Sequence, residues 1–355
     1  MSTNTTTTGE WRMVLMVLAL CWAWPVQGQE SAIRYGGGVS AAVRSICERG
    51  LIFLAKTQQE NGSWPGEGGP GITGICIMAF MATGEDPDYG PHADNIRKGL
   101  RYLILSQVAD SGHLSGQGYG SMYHHGFALL ALSEAYGVVS EELLWEGSDV
   151  PEDRRRTLGQ ALELAVRCAV TAQEKNPWGA WRYSPESQDA DTTVSGTVLM
   201  GLLGARNAGV EVPNEVIEKA MDFFQLNTLP GGIVSYMPGQ SHGNGLTRTA
   251  IATLVYSVSK RKNLQEYRAA AEFIRQRIDS EPSDHPFYGR YYMAQALFHS
   301  DFDGWMEWNQ KVVPRLQKMQ ESDGSFSSNH GKAYGTGMSV LALALNYRLL
   351  PVYER

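Results

Sequence analysis

From Val39 onward the chain alternates between two kinds of apolar pattern. The first kind, as in VSAAVRSICERGLIFLAKTQQ, spaces its apolar residues three and four apart with Arg44, Glu48 and Lys56 between them, and predicts a helix with one wet face. The second, as in GITGICIMAFMATG, is almost free of charge and rich in small residues, and predicts a helix buried on most sides. The pair then recurs. First-kind segments return as NIRKGLRYLILSQ, TLGQALELAVRCAVTAQ, NEVIEKAMDFFQLN, LQEYRAAAEFIRQRI and WNQKVVPRLQKMQ. Each is followed by a polar connection and then by a second-kind segment: SMYHHGFALLALSEAYG, DTTVSGTVLMGLLGARNAG, GLTRTAIATLVYSVS, FYGRYYMAQALFHS and AYGTGMSVLALALNYRLL. About six helical hairpins therefore fill the chain from Val39.

Wet and dry helices in alternation predict two layers, an outer and an inner one, in an all-α protein. An open stack of repeats needs a polar end repeat, yet the last inner segment is as apolar as the middle ones. Closure into a ring is the expected solution.

The chain has 355 residues and a formal net charge of -7, with signs intermixed; the basic run Arg154, Arg155 and Arg156 directly follows Glu152 and Asp153. This excludes a nucleic-acid-binding surface and reads as a solvated face. The N-terminus carries Arg12, an apolar run from Met13 to Trp24, and then Val26 and Gly28. It predicts a secretory signal over 1–28, with a single mature domain over 29–355 that is secreted or periplasmic. The run is shorter than the ~20 residues of a membrane-spanning helix. Cys47, Cys76 and Cys168 each sit in an apolar helical pattern and read as buried thiols, with a Cys47–Cys76 bridge as the alternative.

FLAKTQQENGSW (53–64) and RLQKMQESDGSF (315–326), with weaker copies in YLILSQVADSGHL and VTAQEKNPWGAW, resemble the Gln-to-Trp repeats of squalene and oxidosqualene cyclases and of protein prenyltransferase β subunits. The resemblance implies an α/α toroid. Within the repeats, Gly62 and Gly324 are expected to stop the outer helix, the following aromatic to pin the loop, and Gln58 and Gln320 to satisfy groups at helix ends.

SQDADTTVSG resembles the acidic motif with which squalene cyclases protonate their substrate, so the resemblance places Asp189 on its first acid, Asp191 on the proton donor and Thr193 on its Thr, while Thr192 stands where a further Asp is usual. The residues alone also allow a plain N-cap of the third inner helix at Asp191 or Thr192. Tyr123, His124 and His125 are similar to the Tyr-His pair beside the zinc of prenyltransferases, but no cysteine here has an Asp two residues before it. No metal and no cofactor is expected. At most one of the adjacent histidines can face a cavity, the other being a core residue.

Arg248 and Arg290 occupy the first turns of the fourth and fifth inner helices, where a cation needs an answering anion. Asp191 is the expected protein partner, and an anionic ligand group the alternative. Trp181, Tyr291 and Tyr334 join the candidate ligand contacts, among further loop and helix-start aromatics that include Tyr183, Tyr236 and Tyr288. The expected function is binding of an elongated apolar, isoprenoid-like small molecule or a peptide in a central cavity, with peripheral membrane contact left open and the oligomeric state undetermined. A terpenoid cyclase-like isomerase using Asp191 as general acid is one alternative, and a polysaccharide lyase-like toroid the other.

Overall fold

The structure, a computed structural model, describes residues 38–349 apart from 66–68, 117–119, 241–242 and 284. The expected signal segment, 1–28, lies outside the described residues. Among them the regular structure is helical, with two isolated bridges, Thr228 to Val234 and Met237 to Gln240. The elements are α1 (Ala41–Thr57), α2 (Gly69–Ala82), α3 (Ala93–Ser106), α4 (Ser121–Ala135), α5 (Glu141–Trp145), α6 (Leu158–Glu174), α7 (Thr192–Asn207), α8 (Asn214–Asn227), α9 (Leu246–Val258), α10 (Gln265–Arg275), α11 (Pro286–Ser300), α12 (Phe302–Met319) and α13 (Lys332–Ala344). None of them is long and apolar enough to cross a membrane.

The two predicted helix kinds form two rings. The inner helices α2, α4, α7, α9, α11 and α13 pack in that order, and α13 packs back on α2, so the ring closes. The amphipathic α1, α3, α6, α8, α10 and α12 lie outside them. Small residues let the inner helices approach closely: a Cβ added to Gly126 would stand 2.8 Å from the Thr197 backbone, and one added to Gly337 2.7 Å from Ile75. The short α5, capped by Ser140, is an insertion that the helical period did not announce, because five residues carry too little pattern.

Gln58, Gln107, Gln173 and Gln320 make one repeated clamp. The Nε2 of each donates to a carbonyl of its own loop (Gly62, Gly112, Gly179, Gly324) and to a carbonyl of a neighbouring outer helix (Asn95, Ala161, Val216, Ile46), all at 2.8 to 2.9 Å. The last pair, Gln320 to Ile46, fastens α12 to α1 across the closure. These glutamines thus join outer helices instead of satisfying helix ends, as the sequence suggested. The glycines are also reassigned. The outer helices α1 and α12 end at Gln58 and Gln320 in extended conformation, four residues before Gly62 and Gly324. At φ +88° and +90°, these two glycines sit so close to the neighbouring outer helix that a Cβ would meet the Lys98 or Arg49 carbonyl oxygen at 2.1 or 2.3 Å. The aromatics behave as expected: Trp64 and Trp181 bury their rings and donate Nε1 to Leu54 and Ala169 carbonyls at 2.8 Å.

Cys47, Cys76 and Cys168 are free and buried, and no bridge joins the first two. Burial pushes the Cys47 and Cys168 thiols up to about 12, which keeps them protonated and unreactive.

Candidate functional site: the mouth of the inner ring

Because the inner helices run parallel, their N-terminal turns gather at one end of the ring. A cavity of about 570 Å³ opens there. Its apolar wall comes from Ile72 and Ile75 on α2 and Phe127 on α4, and the phenol rings of Tyr123, Tyr183, Tyr236, Tyr288 and Tyr334 extend it. Tyr288 meets Tyr123 and Phe127 edge to face at 6.1 and 6.2 Å, and its hydroxyl lies 2.8 Å from that of Thr197. Polar lining comes from Asn244, Thr247 and Arg248 at the start of α9, from His124, and from His285 and His330, whose rings stack with Nδ1 and Nε2 3.2 Å apart.

Asp191 caps α7. Its Oδ1 accepts the backbone N–H groups of Thr193 and Val194, both at 2.8 Å, and the Thr193 hydroxyl at 2.6 Å. Among the inner helices whose N-cap is described, α7 alone has a side-chain cap; α4 and α9 begin at left-handed glycines instead. Oδ2 receives no hydrogen bond from the described residues and lies 3.5 Å from Nη1 of Arg182. Burial raises the Asp191 pKa, opposed by the Thr193 and Val194 hydrogen bonds and by Arg182.

The carboxyl is fully enclosed, and Thr193 and the tyrosines stand between it and the cavity. Since Thr193 donates to Asp191, the Tyr123 hydroxyl, 2.5 Å from that of Thr193, donates to Thr193. Tyr183 and Tyr236 hydrogen-bond to each other, and Arg182 covers both rings at 4.3 and 5.2 Å.

No family model matches the chain, and no curated protein is similar to it in sequence. Solved structures share its fold. A variant of the type II terpene cyclase MstE from Scytonema, in complex with its product merosterolic acid A, superposes with a TM-score of 0.60 at 14% identity, covering 87% of this chain and 98% of that one. Another MstE variant, in complex with geranylgeranyl dihydroxybenzoate, gives 0.57 at 13% identity over the same shares. An inactive variant of an α-1,6-mannanase from a Salegentibacter species, with α-1,6-mannotriose, gives 0.58 at 8% identity over 86% and 99%. The fold is an α/α toroid, as in these structures.

Within this toroid, four of the expected contacts line the cavity: Tyr123, His124, Arg248 and Tyr334. Burial lowers the His124 pKa to about 4, with His113 and His330 adding to it, so the ring is neutral near pH 7. The other expected contacts lie elsewhere. His125 accepts the Leu114 N–H at Nδ1 and pairs through Nε2 with the Ala165 carbonyl, so it is the core member of the pair. Burial pushes its pKa down to about 3. Trp181 is a structural loop anchor, and Thr192 donates its hydroxyl to the Ser235 carbonyl. Asp189 is half exposed beside Arg182, and Tyr291 packs on Tyr292 in the ring interior.

The expected pairing of Asp191 with Arg248 or Arg290 is replaced by Arg182. Arg290 is taken by Glu281, 2.8 Å away, and Arg248 turns its Nε to the Val234 carbonyl at 3.1 Å. Arg182 reaches Asp191 because the loop before α7 folds back over its own cap. Arg182, in the loop RYSPESQDAD, carried no periodic signal, and neither did His285 or His330, which also precede inner helices.

Proposed function

We propose that the toroid binds one apolar, isoprenoid-like molecule in the mouth cavity. The observation that carries this reading is a cavity of about 570 Å³ walled by Ile72, Ile75, Phe127 and tyrosine rings, with the one candidate acid enclosed behind them. That volume suits a small organic ligand, for which pockets of roughly 300–1,000 Å³ are usual. Among the described lining residues there is no carboxylate, so a glycan entering the cavity would find no acid pair. The reading is tested by titrating the full chain with farnesol and following tyrosine fluorescence. Saturable binding of one molecule per chain, abolished by the cavity-filling Ile72→Trp, is the expected result; no saturation, or equal binding by that variant, overturns it. Export of the protein is part of the proposal and rests on the N-terminal sequence. N-terminal sequencing of exported protein should begin near Gln29.

One observation favours a second reading, a cyclase-like isomerase. The Asp191 carboxyl has one oxygen saturated with donors and the other without one, in a buried site that favours holding a proton. To protonate an alkene it needs the Tyr183–Tyr236 pair to part. Cyclised product from squalene or geranylgeraniol, lost in Asp191→Asn, is the outcome that this reading requires.

A further inference from the structure

His124 lines the cavity and keeps its hydrogen-bonding groups open. Among the described residues it makes no hydrogen bond, and its nitrogens are not sealed in the core, as one nitrogen each of His92, His113 and His299 is, so they open into the cavity. Its neighbour His125, by contrast, has both nitrogens paired with backbone. The His124 ring is seated between two glycines: a Cβ added to Gly116 would stand 2.2 Å from its Cδ2, and one added to Gly71 2.7 Å from its Nδ1. Burial lowers its pKa to about 4, so near pH 7 the ring is neutral and offers one N–H donor and one lone pair. Phe127 follows His124 on α4 by three residues, and Ile75 follows Gly71 on α2 by four, so these two apolar lining residues lie about one turn further from the mouth on the same faces. The polar seat is therefore at the mouth and the apolar wall below it.

A neutral imidazole in such a seat discriminates between head groups. A hydroxyl can accept from the N–H or donate to the lone pair, so it is matched whichever nitrogen it meets. A hydrocarbon end would leave both nitrogens without a partner and without water. A carboxylate would lie against an uncharged donor, and taking it out of water costs more than one such donor returns. Arg248, the charged residue of the lining, is engaged with its own loop through the Val234 carbonyl. We infer that the ligand is an uncharged alcohol, with its hydroxyl on the His124 imidazole at the mouth and its apolar body inward against Phe127 and Ile75. This rests on the cavity-binding reading above and adds the head group and its position.

The test titrates the full chain with three probes that share one tail: farnesol, farnesene and farnesoic acid. Farnesol should bind about tenfold tighter or more than either of the others. In His124→Phe, which keeps a flat ring and removes both nitrogens, farnesol should lose its advantage over farnesene. Gly116→Ala keeps the imidazole but drives it from its seat, and should have the same effect. Farnesene or farnesoic acid binding as tightly as farnesol, or a farnesol advantage that survives in both variants, overturns the head-group inference and leaves the cavity standing. Loss of every probe in both variants also overturns it, since His124 would then be a support of the cavity wall and not a head-group contact. Absence of binding by every probe in the parent protein overturns the cavity reading itself.

Discussion

Four of the six connections into the inner ring are alike and two are not. Before α2, α4, α7 and α13 a glutamine clamp ties each loop to a neighbouring outer helix, whereas before α9 the local bond from Asn227 Nδ2 to the Phe223 carbonyl stands in its place, and before α11 the described residues form no such clamp. The unlike connections deliver Arg248 and His285 to the cavity. Regular repeats hold the ring closed, and polar residues reach the mouth from both kinds of connection, His330 from a clamped one.

The sharpest way to break this comparison is at glycine. Gly324→Ala drives a Cβ into the Arg49 carbonyl at the ring closure and should cost beyond about 3 kcal/mol, combining left-handed strain with a backbone clash. Gly231, in the irregular fourth connection, has a similar φ of +91° but open space around it, so Gly231→Ala should cost only about 1 kcal/mol. Urea unfolding of the two variants checks the contrast, and similar midpoints would contradict it.

Next in size is the clamp. Gln320→Ala leaves the Ile46 and Gly324 carbonyls without their side-chain donor and should cost about 2 kcal/mol by the same assay, whereas Asn227→Ala loses one intrahelical bond and should cost about 1 kcal/mol.

A smaller effect is expected at Asp191 and depends on pH. Its pKa is raised in the folded state, so the folded chain retains this proton at pH values where the unfolded chain has lost it. Stability relative to Asp191→Asn is therefore greatest below the unfolded carboxyl pKa and declines as pH rises through the folded value. Thermal melts of both proteins across the acid range should show the difference shrinking or reversing toward neutrality; a difference that grows with pH would contradict the buried, proton-holding site. Smallest of all, Tyr236→Phe removes the hydroxyl pair with Tyr183 and should cost less than about 1 kcal/mol.

Much of this was legible in the chain. The helical period separates wet from dry helices, because a one-faced helix must show its burial in its spacing, and the repeated Gln-to-aromatic loops mark the toroid. The cap at Asp191 was also readable, since a carboxylate before Thr192 and Thr193 has backbone donors within its own first turn. Which of His124 and His125 is the core residue, and that Trp181 only pins its loop without also touching a ligand, were not readable, because facing inward toward a neighbouring helix and inward toward a cavity have the same sequence period. Arg182, His285 and His330 escaped notice because connections have no period at all. Which cation answers Asp191 was decided by the fold of the loop before α7, whereas that Tyr236 joins Tyr183 beside it and that Arg248 stands across from Ile72 were decided by ring closure, which brings residues from six separate hairpins to one mouth. Local spacing determines each helix. Only the closed ring determines what its first turns face.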